Sequence, residues 1–143
     1  MNDNIKGAIK TFNIETINYI NAFENFTRCK VKDCIITEEG LIFIVDAIYI
    51  GRILGVKGSN IKRIEERFKK KVKIIEFSDN IQKFILNLLY PVRPRDIRIA
   101  EGRVEIIPSD GRMKGLLLGR DRKNLKRLQE LVSRYFNYTI EVL

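Results

Sequence analysis

The segment Gly55-Val56-Lys57-Gly58 places two glycines around a lysine, and Ser59-Asn60-Ile61 then opens an apolar-periodic run. Glycine has no Cβ, so a sugar-phosphate chain can approach such a main chain closely and meet its N–H groups. A helix beginning at about Ser59 aims its unpaired N–H groups and the positive end of its dipole at the same point. Lys57 adds a mobile charge, and Lys62 and Arg63 extend the basic track by a turn. The chemistry this arrangement suits is non-covalent. It grips the backbone of about four nucleotides and leaves their unpaired bases in a neighbouring apolar groove. The glycine spacing alone is a weak signal, because the chain holds nine glycines and tight turns between helices favour them. Its context is what counts: the segment follows the apolar Ile53-Leu54 and separates two helical patterns.

Charge distribution points the same way. The net charge of +9 is concentrated in two blocks: residues 52–73 carry nine Lys/Arg against two Glu, and residues 112–127 carry seven against one Asp. A single basic block is ordinarily a solvated helix face, but two at matching places in a repeat favour a polyanionic partner. Catalytic chemistry finds little support. The chain has no histidine, which removes the commonest general base and the usual partner of a nucleophile. Two cysteines, Cys29 and Cys34, cannot supply the four ligands of a zinc site and read as buried thiols, with a disulfide as the alternative. The carboxylate pairs Glu38-Glu39 and Glu65-Glu66 read as solvated. No metal, no cofactor and no enzymatic activity are expected. No apolar run is long enough to span a bilayer, and Met1-Asn2-Asp3-Asn4 does not open a secretory signal, so the expected location is cytoplasmic, away from membranes.

The elements that must position the loop occur twice. Leu54-Gly55 and Leu118-Gly119 stand 64 apart, and the same offset pairs Asn60 with Asn124, Lys62 with Lys126 and Arg63 with Arg127. In the first copy a helix is expected over 14–27, strands over 33–37 and 41–46 joined by a Glu38-Glu39-Gly40 turn, and a short helix over 48–54. A longer helix to about Lys70 follows the loop, with Ile61, Ile64 and Phe68 on one face, and a strand near 72–77 closes the unit. The second copy gives a helix over 79–89, strands over 96–100 and 103–107, helices over 111–118 and 121–135, and a strand over 138–142. Leu125, Leu128 and Val132 repeat the apolar stripe. Each copy reads α-β-β-α-α-β. That order, which closes on a strand in both copies, is expected in place of the alternative KH topology, which would add a further strand and helix.

These residues resemble the type II KH family, and over residues 14–143 the chain is similar to the short, archaeal form of the NusA transcription factors. The likeness rests on Asp33-Cys34, on Leu54-Gly55-Val56-Lys57-Gly58-Ser59-Asn60-Ile61 and on the linker Phe84-Ile85-Leu86-Asn87-Leu88-Leu89-Tyr90-Pro91. It continues through Leu118-Gly119-Arg120 with Asn124, and Arg134-Tyr135-Phe136. The linker is its most specific part. The resemblance implies an α+β fold (an α/β sandwich) of two tandem type II KH modules, each with a three-stranded sheet covered by helices. The expected organisation is an N-terminal extension over 1–13, a first module over 14–78 and a second over 79–143.

The resemblance also implies binding of single-stranded RNA emerging from RNA polymerase, with an effect on pausing, elongation, termination or antitermination, and a monomer as the working state. The amino-terminal polymerase-binding domain and additional RNA-binding barrel of the bacterial factor are not expected within these 143 residues. RNA-binding residues are expected at Gly55, Val56, Lys57, Gly58, Ser59, Asn60, Lys62 and Arg63. Their second-copy counterparts are Gly119, Arg120, Asp121, Arg122, Lys123, Asn124 and Arg127. One departure stands out: Gly119-Arg120-Asp121-Arg122 has arginine in place of the second glycine, with Asp121 placed to cap the following helix. Other readings are a KH protein of ribosome assembly or RNA processing, a protein-interaction module with a degenerate KH surface and, least favoured, an RNA-cleaving enzyme.

Overall fold

The computed structural model describes residues 13–143, so the expected extension falls almost wholly outside the described residues. The chain divides into two compact units between Ser78 and Asp79. Each runs helix, two strands, two helices, strand: α1 (Ile14–Thr27), β1 (Asp33–Thr37), β2 (Gly40–Val45), α2 (Ile50–Leu54), α3 (Ser59–Phe68) and β3 (Lys71–Glu76), then α4 (Ile81–Leu89), β4 (Asp96–Ala100), β5 (Arg103–Ile107), α5 (Gly111–Leu118), α6 (Lys123–Ser133) and β6 (Thr139–Val142). Both sheets have three strands in sequence order, the first pair antiparallel and the second parallel.

Local chemistry sets the boundaries. Asn13 and Thr16 form a reciprocal capping box that starts α1, with Asn13 Oδ1 accepting from the Thr16 N–H at 2.8 Å. Asn80 and Asp110 cap α4 and α5 through the N–H groups of Lys83 and Met113. The first hairpin differs from expectation. Gly40 lies inside β2, paired with Thr37, rather than in the turn. It is glycine because its φ is +146° and a Cβ would collide with the Lys71 carbonyl of β3. Helix α3 stops at Phe68 instead of Lys70, since Lys69 turns left-handed at φ 53°.

The first core gathers Phe23 of α1, Leu41, Phe43 and Val45 of β2, Ile53 of α2 and Ile64 of α3, all under 2% exposed. Phe23 stacks on Phe43 with ring centroids 4.1 Å apart; truncating such a ring to alanine costs roughly 3–5 kcal/mol. Cys29 and Cys34 are both buried in this core. In the second unit Phe84 meets Tyr135 edge-on at 5.8 Å and lies 5.9 Å from Phe136. Val104, Ile106 and Val132 are fully buried. These cores hold the helix pairs α2–α3 and α5–α6, and the loops lie at the joints of those pairs.

Both units fasten the last strand to the preceding helix in the same way. Glu65 Oε2 of α3 accepts the Val72 N–H of β3 at 2.9 Å. Gln129 of α6 accepts the Ile140 N–H at 2.7 Å and donates to the Tyr138 carbonyl at 2.9 Å. Glu65 is therefore a structural acceptor rather than a solvated carboxylate.

Candidate nucleic-acid interface

Helix α2 ends at Gly55, whose φ of 68° and ψ of −169° belong to a region essentially closed to other residues. Val56–Gly58 then form a tight turn, with Lys57 left-handed at φ 54°, ψ 32° and Gly58 at φ 71°, ψ 17°. Ser59 begins α3, which has no side-chain cap. The Ser59 N–H itself donates to the Val56 carbonyl, and the N–H groups that follow it in the first turn point toward the loop, where an anion can use them. Val56 is 78% exposed and Lys57, Ser59, Lys62 and Arg63 are also exposed. The loop stands out from the unit, with the basic side chains beside it on α3.

The second loop repeats this backbone. Gly119 has φ 73° and ψ 172°, Asp121 φ 55° and ψ 30°, and Arg122 φ 60° and ψ 23°. Arg122 thus occupies the left-handed position of Gly58 without changing the loop's path, although such a conformation costs a residue with a side chain about 1–2 kcal/mol. Asp121 does not cap α6. The residue at the cap position is Arg122, and no side chain bonds there; Asp121 lies within the Arg120–Arg122 turn, which also shortens the helix expected over 121–135. Arg120, Asp121, Arg122 and Lys123 are exposed, and Arg127 is half-buried on α6.

Two of the expected contact residues also bond within their own unit. The Asn60 side-chain amide donates to the Arg52 carbonyl at 2.9 Å, and Asn124 donates to the Leu116 carbonyl at 2.9 Å. The Arg63 guanidinium lies over the Phe26 ring of α1, 5.4 Å from its centroid, within cation–π range. Of the first basic block, Lys73 stands apart on β3, where desolvation pushes its pKa below the ordinary lysine value. The sequence reading missed the asparagine role, although its signal was present: an asparagine follows the first glycine by five positions in both copies. Among the described residues no cluster of His, Cys, Asp or Glu is placed to hold a metal ion. No helix there is long and apolar enough to cross a membrane.

A profile of the KH domain matches residues 17–85, which contain the first loop. The "Probable transcription termination protein NusA" of Methanocaldococcus jannaschii is 34% identical over 128 residues, covering 87% of this chain and 70% of that one. The chain belongs to the archaeal NusA-like family of KH-domain proteins. Another NusA-like relative, from Halococcus morrhuae and carrying the same description, is 26% identical over 89% of this chain and 93% of its own length. The crystal structure of APE1850 matches with a TM-score of 0.68 at 28% identity, covering 92% of this chain and 100% of that one. The NusA-like fold therefore extends through the second unit, beyond the stretch that the KH profile matches.

Proposed function

We propose that this NusA-like protein binds single-stranded RNA and acts in transcription termination or elongation, with the 55–58 loop as its principal grip. The observation that carries the reading is an exposed loop with two positive-φ glycines, set against the uncapped start of α3 and flanked by Lys57, Lys62 and Arg63. Phosphates meet main-chain N–H groups and the positive end of the helix there, while the lysines and arginine release counterions. The relatives' descriptions support the setting in transcription termination. Residues 14–78 and 79–143 are each read as one KH module. The second contributes Arg120, Arg122, Lys123 and Arg127 as side-chain charge, which positions a strand without reading its bases.

The protein is read as a cytoplasmic monomer that acts by binding alone, in company with the RNA polymerase elongation complex. Anisotropy of a labelled RNA single strand, compared with a duplex of equal length, tests the RNA reading. The single strand should bind more tightly, and equal or reversed affinities would remove the proposed grip. RNA crosslinked in cells should be nascent transcript, recovered with polymerase; ribosomal precursors alone would move the protein to ribosome assembly.

A further inference from the structure

We propose that Asn60 and Asn124 are positioning residues: they set the shape of the two loops instead of gripping RNA. Each amide donates at 2.9 Å to a carbonyl eight residues back, Arg52 on α2 and Leu116 on α5. Carbonyls in the last turn of a helix have no partner within that helix, so each bond ties a helix end to the start of the helix after the loop. The first glycine of each loop leaves room for this. A Cβ at Gly55 would stand 2.6 Å from Asn60 Nδ2 and 2.7 Å from its Cγ, and one at Gly119 would stand 2.6 Å from Asn124 Cγ.

Glycine and asparagine thus form one latch, built twice with the same geometry. The second glycine has no such part. Nothing lies within 4 Å of a Cβ at Gly58, and Arg122 takes the matching position with almost the same dihedrals. The latch explains why the second loop keeps its path after losing that glycine.

For RNA, the inference rests on the function proposed above, but its first arm needs no RNA. Amide protection factors are measured on the RNA-free, full-length Asn60→Ala variant. Loss of the bond should lower protection at the hydrogen-bonded amides of the first loop, Gly55 and Ser59, by about two- to tenfold, and leave the bonded amides of the 119–122 loop unchanged. Affinity for two unrelated single strands should fall by a similar factor for both, with the slope of log affinity against log salt unchanged, since asparagine neutralises no phosphate.

Asn60→Asp gives a readout that mere bulk would not. Its carboxyl can donate to the Arg52 carbonyl only when protonated, so loop protection should rise as that carboxyl gains its proton. Asn124→Ala repeats the test in the other unit, and decides it if the Asn60 variants do not fold. Unchanged protection together with weakened RNA binding would make Asn60 a direct RNA contact and overturn the latch. Unchanged protection and unchanged affinity, or protection in Asn60→Asp that ignores pH, would overturn it as well. If the wild-type chain binds no RNA while Asn60→Ala loosens the loop, the functional reading fails and the latch stands.

Discussion

Replacing Gly55 by alanine should harm the first unit far more than replacing Gly58, although both glycines have positive φ. At Gly55 two costs add. The φ of 68° with ψ of −169° is essentially reserved for glycine, worth about 1–3 kcal/mol of strain. The new methyl would also sit 2.6 Å from the Asn60 amide, so the 2.9 Å bond to the Arg52 carbonyl must break, for about 1 kcal/mol more. The sum is about 2–4 kcal/mol. At Gly58 a methyl meets nothing within 4 Å, and only the left-handed conformation is charged, about 1–2 kcal/mol.

For a unit of this size each kcal/mol lowers the melting midpoint by roughly 4–8 °C. Gly58→Ala should therefore lose roughly 4–16 °C, and Gly55→Ala about twice as much, roughly 8–32 °C. Thermal unfolding followed by NMR signals resolved to each unit separates the two, and Gly119→Ala should reproduce the larger loss in the second unit. Equal losses at Gly55 and Gly58, or a smaller loss at Gly55, would refute the packing argument.

Other expectations follow from the same geometry. Arg122→Gly should stabilise the second unit by about 1 kcal/mol, because a left-handed arginine is relieved, and its melting midpoint reports this. Changing Arg120 and Arg122 together to alanine should flatten the salt dependence of RNA binding by up to roughly 1.4 in the logarithmic slope, and weaken unrelated single strands about equally. Removing the Glu65 carboxylate by Glu65→Ala leaves the partly buried Val72 N–H without its acceptor. The cost should be about 1–3 kcal/mol, visible as faster exchange at Val72, and Gln129→Ala should do the same at Ile140.

The order of elements was legible because amphipathic periods and turn residues are local signals, and because the 64-residue repeat lets each copy check the other. The exposed loop was legible from Gly55 and Gly58 in the same way. What escaped depended on conformations that the residue types do not announce. Lys57, Asp121 and Arg122 adopt the left-handed backbone that sequence reasoning reserves for glycine, so Asp121 looked like a helix cap and α6 looked longer than it is. Gly40 looked like a turn residue because its neighbour, the Lys71 carbonyl, arrives from a strand 31 positions later in the chain. The placement of Arg63 over the Phe26 ring was not legible because Phe26 lies on a different helix. The bonds of Asn60 and Asn124 were not legible because their acceptors, the Arg52 and Leu116 carbonyls, lie on the preceding helix and are brought near only by the turn of the loop.

The central claim, that the 55–58 loop is where RNA is held, is tested most directly by changing Val56 and Lys57 both to Asp and measuring single-stranded RNA affinity. The structure supports folding of this variant. Val56 is 78% exposed, and aspartate already occupies the backbone conformation of Lys57 in the second loop, where Asp121 has φ 55° and ψ 30°. Two acids would face the positive end of α3 and repel phosphate. Binding should be abolished while the amide spectrum outside the loop stays that of the wild-type protein. An unchanged affinity in a variant that is folded by that criterion would contradict the assignment.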